Sequence, residues 1–178
     1  IVREPGGQVW TINGSGFGPD GGTQEFYRDK GLSAVPLDGA LAATVPGTPA
    51  AVAAMHARGA TMSLPDLWER AARLAENGVP CSAKTAVDVR EVLPAILRDE
   101  GLAAVYAPSG TPVHVGTPVR QPEQARTIRM LARDPAVFYK GELAERAVGA
   151  LREAGAEVST VRRLTELNAV DALVDRKS

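Results

Sequence analysis

Residues Val45 to Ser82, VPGTPAAVAAMHARGATMSLPDLWERAARLAENGVPCS, decide the fold because they predict two consecutive helices after a tight turn. The first helix, AAVAAMHARG, is rich in alanine, which permits close packing. The second begins after Ser63, a favoured N-cap residue, with Pro65 in the first turn and Asp66 supplying early negative charge. Gly78 is the C′ residue that ends it. The centre of the chain is therefore predicted to be helical.

The second of these helices also carries a predicted apolar stripe. Its members recur at spacings of three and four residues, which is the pattern of a helix that buries one face. They are Leu64, Leu67, Trp68, Ala71, Leu74 and Ala75.

Three more helices are predicted further along the chain. Ser82 begins the first of them, and Pro94 within it predicts a kink or a break. The others run from Pro122 to about Arg133 and from Gly141 to Gly155, each with apolar residues at helical spacing.

The remaining segments predict short strands and loops. Gln8 to Asn13 (QVWTIN) is typical of a short strand that ends in a turn, and Gly14 to Gly22 is too rich in glycine for a regular element. Thr23 to Gly31 predicts a short helix. Leu41 to Val45 and the alternation around Val113 to Val115 suggest two further brief strands. The chain is thus expected to be mainly helical with a few short strands.

Composition excludes several functional classes. The chain has 178 residues, 44% apolar and 23% charged, which is ordinary for a soluble globular domain. A net charge of −1 implies no electrostatic attraction to nucleic acid or to an anionic membrane. No apolar run approaches the roughly 20 residues of a transmembrane helix. The opening IVREPGG has neither a Met nor the pattern of a signal peptide, so we expect a cut or cleaved end there; a periplasmic, secreted or cytoplasmic location all remain open.

Few residues carry chemistry by themselves. His56 lies in a small-residue helix and His114 between two valines, and neither has a partner at metal-ligand spacing, so structural positions are favoured over catalysis. Cys81 precedes a helix start, which lowers a thiol pKa, but a half-buried structural cysteine is the favoured alternative. The glycines between Gly14 and Gly22 lack the Lys and Ser/Thr of a phosphate-binding loop. We predict no metal and no cofactor.

Four blocks of sequence stand in a fixed order along the chain. They are NGSGFGP (Asn13 to Pro19), the Val45 to Ser82 stretch, VYAPSGTPVHVGTPV (Val105 to Val119), and Gln121 to Ser159, which contains QPEQARTI and FYKGELAE. Their order and spacing resemble the large subunit of the γ-glutamyltransferase family. The resemblance divides the chain into a partial large-subunit domain, residues 1–159, and a weakly matching and weakly helical tail, residues 160–178.

The resemblance implies an α+β fold, the αββα sandwich of the N-terminal nucleophile hydrolases, once the chain is assembled with its partner. In that class a precursor cleaves itself ahead of a threonine, whose free amine then acts as the base for its own hydroxyl. The threonine attacks a γ-glutamyl amide, and water or an amino acid resolves the acyl-enzyme. It belongs to a small subunit, and neither Thr160 nor Thr165 follows the cleavage-site pattern, so we expect no catalytic residue in this chain and no activity from it alone.

One binding element of the family falls within the chain, and it departs from the family's pattern. True γ-glutamyltransferases carry an arginine four residues before a proline, where it grips the α-carboxylate of the substrate. Aligned on Pro19, this place holds Ser15, followed by Gly16 and Phe17. Some branches place the arginine two residues before the proline, and here Phe17 stands there. We predict Ser15, Gly16 and Phe17 as substrate-binding residues, with Phe17 as an apolar wall; the alternative is that a distant arginine compensates.

The resemblance also implies the partners. They are the small subunit with its catalytic threonine and a small-molecule amide or γ-glutamyl substrate, without nucleic acid or membrane. Apolar helix faces between Ser63 and Gly155 exceed what the chain can bury alone, which favours an obligate partner chain that contributes much of the central double sheet. The alternative is a non-catalytic helical fragment or pseudoenzyme that serves only as a docking partner.

Overall fold

The computed structural model of the chain describes residues 1–16, 18, 21–37 and 39–155. In chain order the elements are β1 (Val2–Arg3), β2 (Val9–Trp10), α1 (Gln24–Asp29), a 3-10 helix (Ala40–Ala42), α2 (Thr48–Gly59), α3 (Leu64–Asn77), β3 (Val79–Pro80), α4 (Ala83–Glu91), α5 (Leu93–Ile96), α6 (Glu100–Tyr106), a 3-10 helix (Pro108–Gly110), β4 (Pro118–Val119), α7 (Pro122–Arg133), a 3-10 helix (Pro135–Phe138) and α8 (Glu142–Glu153). The predicted mainly helical chain with a few short strands is confirmed. The predicted tail, 160–178, lies outside the described residues.

The chain forms two compact units. The first contains Ile1–Thr61 and the described residues from Asp134 to Gly155, and the second is Met62–Arg133. None of the helices in the described part of the chain is long and apolar enough to cross a bilayer.

The first unit opens with an antiparallel ribbon. β1 pairs with β2 so that Val2 lies opposite Trp10 and Arg3 opposite Val9, which confirms the core of the strand predicted at Gln8 to Asn13. The predicted short helix is α1, and its N-cap Thr23 accepts a hydrogen bond from the backbone N–H of Phe26 at 3.2 Å. Local capping chemistry therefore sets the start of this helix where the sequence predicts it.

The strand predicted at Leu41 to Val45 is mostly wrong, because the chain forms a 3-10 helix at Ala40–Ala42 and only Val45 of the predicted stretch forms a β-bridge. The backbone N–H groups of Ala42 and Ala43 bond three residues back, to Gly39 and Ala40. The Leu41 carbonyl, which a strand would offer to a neighbouring strand, accepts the Tyr27 hydroxyl at 2.9 Å. A side chain 14 positions away thus takes the place of a sheet partner.

The rest of the first unit is helical. α8 buries Ala144 and Val148 and packs on the 3-10 helix Pro135–Phe138, which in turn packs on α2. Both α2 and α8 correspond to predicted helices. This arrangement places the end of the 3-10 helix beside the start of α2, where the candidate site lies.

The second unit is organised around the pair α3 and α7. The Ser63 hydroxyl caps α3 by accepting from the Asp66 N–H at 3.3 Å, and Gly78 ends the helix with φ 91°, as predicted. α7 has the predicted bounds, Pro122–Arg133. The predicted apolar stripe is only partly right. Of its members Leu64 is buried and Trp68 and Ala75 are half-buried, whereas Ala71 is exposed and Leu67 and Leu74 remain 44% and 51% exposed. The other buried residue of this helix, Ala72, was not among those predicted.

Arg129 joins the two helices of this pair. Its guanidinium lies 3.2 Å from a Glu69 oxygen and 2.8 Å from a Glu76 oxygen, and Glu69 also pairs with Arg73 at 3.1 Å. Hydrogen bonds from Arg129, and next from Arg73, hold the pKa of Glu69 below its usual value. Arg129 likewise lowers the pKa of Glu76, and the two carboxylates raise the pKa of Arg129. These partly exposed ion pairs link α7 to α3.

The other helices of this unit surround a small core. The hydroxyl of Ser82 caps α4 by accepting from the Thr85 N–H at 3.1 Å. The helix ends before Val92, and α5, with Pro94 in its first turn, begins there, so the predicted break is confirmed. The buried cluster consists of Cys81, Ala86, Val89, Ile96, Ala107 and Val113.

The strand predicted at Val113 to Val115 is also wrong. Val113 is buried in the core, and its N–H bonds to the carbonyl of Tyr106 at 2.9 Å, while Val115 is 62% exposed at a turn. The strand in this region is β4, which pairs antiparallel with β3. Local alternation was misleading here because the pairing partner lies some 40 residues upstream.

We predict that Arg129→Met abolishes an acid-sensitive part of the stability of the α3–α7 pair. The pKa values of Glu69 and Glu76 are lowered in the folded state, so their contribution is present above their ordinary pKa of 4.5 and is lost as pH falls below it. The unfolding midpoint should therefore fall more steeply with decreasing pH for wild type than for the variant. The measurement is made between pH 7 and pH 3 at low salt. Lys84→Met removes an ion pair to Asp88 within α4 and is the matched control. Equal pH profiles for wild type and Arg129→Met would contradict the prediction.

Candidate substrate-binding loop

The candidate site is the loop that follows β2. Its described residues are Asn13 to Gly16 and Gly18, so two predicted site residues, Ser15 and Gly16, lie in the described part, while Phe17 lies outside it. The Ser15 N–H donates to the Asn13 side-chain oxygen at 3.0 Å. Such a bond mimics a backbone turn and fixes the direction of the chain as it leaves the strand. Ser15 itself is exposed.

The loop packs backbone to backbone against the turn that precedes α2. A Cβ atom added at Gly16, where φ is 90°, would lie 2.0 Å from the carbonyl oxygen of Val45. One added at Gly47 would lie 2.9 Å from the Gly16 nitrogen and 3.0 Å from the Gly14 oxygen. No side chain fits at either contact, so glycine is required on both sides. The loop and the turn are therefore held in one arrangement by their close approach.

Tyr139 holds the other side of the same turn. Its hydroxyl donates to the Pro46 carbonyl at 2.7 Å and accepts from the Ala50 N–H at 3.2 Å. Burial raises the pKa of Tyr139 above its ordinary value, against a smaller lowering by the bond from Ala50, so the hydroxyl is protonated and able to donate at neutral pH. Tyr139 belongs to the FYKGELAE block, but sequence reasoning assigned it no role. No local pattern in the sequence points to this role, because the two partners of Tyr139 lie 89 and 93 positions away.

A depression of about 460 Å³ lies between the loop, the β1–β2 ribbon and α2. Every described residue that lines it has an uncharged side chain: Ile1, Val2, Trp10, Ile12, Asn13, Gly14, Ser15, Thr48, Ala51, Val52 and Met55. The polar groups are concentrated at the loop end, where Asn13, Ser15 and Thr48 lie. This surface cannot pair with a carboxylate through a guanidinium among these residues.

Arg58 is the arginine on α2, three positions after Met55 of that lining, and it is already engaged. Its guanidinium carbon lies 4.3 Å from the centre of the Trp10 ring, and its Nε lies 3.4 Å from a Glu4 oxygen. The same Glu4 oxygen accepts the Trp10 indole N–H at 2.9 Å. Arg58 thus closes a structural cluster at the ribbon and does not stand free to replace the missing clamp.

The structure also shows where Cys81 and the two histidines lie. Cys81 is buried, and its thiol points to the Ser82 carbonyl at 3.5 Å, which supports a core position. His114 is exposed in a turn, and its N–H donates to the Thr117 hydroxyl at 3.3 Å. His56 lies on α2, half-buried. Among the described residues, no three of His, Cys, Asp and Glu are grouped as metal ligands.

Comparison with known proteins defines the class. The Gamma-glutamyltranspeptidase family matches residues 1–164. The chain is 27% identical over 157 residues to glutathione hydrolase proenzyme 1 of Schizosaccharomyces pombe, covering 87% of this chain and 25% of that protein. It is 30% identical over 166 residues to the oxamate amidohydrolase proenzyme of Klebsiella pneumoniae, covering 89% and 31%. In structure it resembles the γ-glutamyltranspeptidase of Helicobacter pylori, with a TM-score of 0.85 at 24% identity, over 94% of this chain and 49% of that one.

The fold is therefore that of the N-terminal nucleophile hydrolases, as predicted. The chain belongs to the γ-glutamyltranspeptidase family and corresponds to its large-subunit region. It spans about a quarter to a third of the length of these two curated relatives.

We predict that Gly16→Ala destabilises the first unit through the contact with the Val45 carbonyl. A side chain at positive φ alone costs about 1 kcal/mol or more, and the steric conflict adds to it. Gly18→Ala is the control, because a Cβ there meets nothing within 4 Å. Urea denaturation should give a clearly lower free energy of unfolding for Gly16→Ala only. Equal free energies of unfolding for the two variants would mean that the loop is free to move away from the turn.

Proposed function

We propose that the chain is the large-subunit part of a γ-glutamyltransferase-like amidohydrolase or acyltransferase, whose nucleophile is the threonine of a small subunit. The observation that carries the proposal is the family match over residues 1–164. The two relatives are named as proenzymes, one a glutathione hydrolase and one an oxamate amidohydrolase. On this proposal the chain supplies scaffold and substrate contacts, and the chemistry is completed by its partner.

The proposed reaction is acyl transfer through a covalent intermediate. The threonine hydroxyl attacks the amide carbonyl while its own amine takes the proton, and the amine of the substrate leaves with a proton. Water or a second amine then attacks the acyl-enzyme and releases the threonine hydroxyl. Backbone N–H groups stabilise the negative oxygen that develops at each attack. This chain contributes the loop from Asn13 to Phe17, which orients the acyl group.

The proposed substrate is an amide that does not rely on a guanidinium at this loop. Ser15 stands where the family's arginine is expected, the lining of the adjacent depression is uncharged, and Arg58 is bound by Glu4 and Trp10. A carboxylate placed here would find hydroxyl and amide groups but no cationic side chain among the described lining residues, which weakens its binding. The two relatives are named for different amides, which agrees with a scaffold that accepts more than one acyl group.

A partner chain is proposed from the exposed apolar side chains. In the second unit they include Met62, Leu67, Leu74, Val87, Val92, Leu97, Leu102 and Met130, each more than 40% exposed. Scattered apolar residues are normal on a surface, but Leu67 and Leu74 share one side of α3. We propose that the small subunit of the assembled protein covers such surfaces.

The other candidate function is a non-catalytic docking subunit, which the loss of both clamp arginines favours. The two functions differ in the sequence that the gene should encode beyond this chain. A threonine that opens a Thr-Thr-His-like motif, with cleavage ahead of it, supports the enzyme, and its absence supports the docking subunit.

The function is tested by expressing the whole precursor and measuring self-cleavage and amide turnover. We expect two co-purifying chains, turnover of simple acyl anilides, and weak turnover of γ-glutamyl-p-nitroanilide. Replacement of the new N-terminal threonine by alanine should abolish both cleavage and turnover. An uncleaved, inactive wild-type protein would overturn the proposed function, and efficient γ-glutamyl turnover at ordinary affinity would overturn the proposed substrate class.

We also predict that Ser15→Arg improves binding of γ-glutamyl substrates. It places a guanidinium at the position where the family carries its clamp, and a bidentate pair to a carboxylate should lower KM by about tenfold or more, because about 1.4 kcal/mol corresponds to a factor of ten. Ser15→Gln is the control of similar length without charge. An equal KM for the two variants on γ-glutamyl-p-nitroanilide would show that the loop does not meet the α-carboxylate.

A further inference from the structure

We infer that Tyr139 is a positioning residue for the candidate substrate loop, which it holds in place by capping α2 from another part of the chain. The inference rests on the proposed function for the identity of the loop. Three contacts carry it: Tyr139 to the start of α2, the start of α2 to the preceding turn, and that turn to the loop.

The first contact replaces an ordinary N-cap. A helix begins with N–H groups that have no partner inside the helix, and a side chain at the N-cap position usually accepts one of them. In α2 the N-cap residue is Gly47, which has no side chain, and Pro49 has no N–H to offer. The next N–H in the first turn, that of Ala50, bonds to the Tyr139 hydroxyl at 3.2 Å, from 89 residues away.

The reason for this remote cap is the close approach of the loop. Any side chain at Gly47 would begin with a Cβ 2.9 Å from the Gly16 nitrogen and 3.0 Å from the Gly14 oxygen. A serine, threonine or aspartate cap at this position is therefore excluded while the loop stays where it is. The position of the loop thus leaves the start of α2 without a side-chain cap of its own. The Tyr139 hydroxyl accepts the hydrogen bond from the Ala50 N–H in place of that cap.

The second bond of Tyr139 fixes the turn itself. Its hydroxyl proton goes to the Pro46 carbonyl at 2.7 Å, immediately before Gly47. The ring is supported by Phe138, whose centroid lies 5.2 Å away in an edge-to-face arrangement. With Pro46 and Ala50 both tied to one oxygen atom, Gly47 between them is held against Gly14 and Gly16. The position of Ser15, the exposed residue between those two glycines, is thereby fixed.

The variant Tyr139→Phe tests the inference, because it keeps the ring and removes both hydrogen bonds. The matched control is Tyr27→Phe, which removes a hydroxyl bond to the Leu41 carbonyl in the same unit without touching the loop. Both are made in the whole precursor, and both are measured against wild type by hydrogen exchange and by steady-state kinetics on the best anilide substrate.

We expect Tyr139→Phe to increase hydrogen exchange at least about threefold both at the start of α2 and in the peptide that contains residues 13–16. We also expect KM to rise about fivefold or more with kcat changed less than twofold, because a displaced loop weakens binding. A merely destabilised protein would lose active molecules, which lowers the apparent kcat and leaves KM unchanged. Tyr27→Phe should leave the exchange of residues 13–16 and KM as in wild type.

Several results would overturn the inference. Exchange that rises only at the start of α2, with residues 13–16 unchanged, would make Tyr139 a helix cap without influence on the loop. An unchanged KM beside a lowered kcat, or an equal effect of Tyr27→Phe, would also overturn it. If the wild-type precursor turns over no amide, the proposed function fails, and the exchange of residues 13–16 alone then decides whether Tyr139 positions the loop.

Discussion

The first unit depends on a steric constraint, the close approach of two backbone segments at Gly14, Gly16 and Gly47. Because a Cβ at Gly47 would lie 2.9 Å from the Gly16 nitrogen, the start of α2 cannot supply its own cap. Tyr139 therefore has to reach the Ala50 N–H from elsewhere in the chain. Three segments that are distant in sequence become one structure through this constraint, which acts at contact distance and is insensitive to salt.

The second unit contains an interaction of a different kind. Arg129 of α7 lies between Glu69 and Glu76 of α3, so opposite charges contribute to the contact between the two helices. These groups are partly exposed, which limits their contribution and makes it sensitive to ionic strength and to acid. The two units should therefore respond differently to salt and pH, although each contains helices that the sequence predicts.

The features that could be predicted from the sequence are mostly local. The caps Thr23, Ser63 and Ser82 act within three residues of themselves, and each was sufficient to set the start of a helix. The features that sequence reasoning missed depend on distant partners. Leu41 is held by the hydroxyl of Tyr27, and β4 finds β3 some 40 residues upstream, so local alternation could not reveal either.

The same division applies to the candidate site. A glycine-rich loop with Ser15 and Gly16 in it could be predicted from the NGSGFGP block, and both residues lie in such a loop. The role of Tyr139 could not be predicted, because it exists only through contacts 89 and 93 positions apart. The role of Phe17, the third predicted residue, remains a prediction that rests on the sequence alone.

The structure also gives a reason why a family scaffold can keep its loop while losing the arginine that the family places there. A Cβ at Gly14 would lie 2.9 Å from the Ala51 side chain on α2, and one at Gly16 would lie 2.0 Å from the Val45 oxygen in the turn, so the shape of the loop is set by positions that carry no side chain. Ser15, between them, is exposed and donates its backbone N–H to the Asn13 side chain. On the proposed function, a change of side chain at Ser15 would alter what the loop binds without altering how the loop is held. The glycines on either side would then set the shape of the loop, and Ser15 would set its substrate preference.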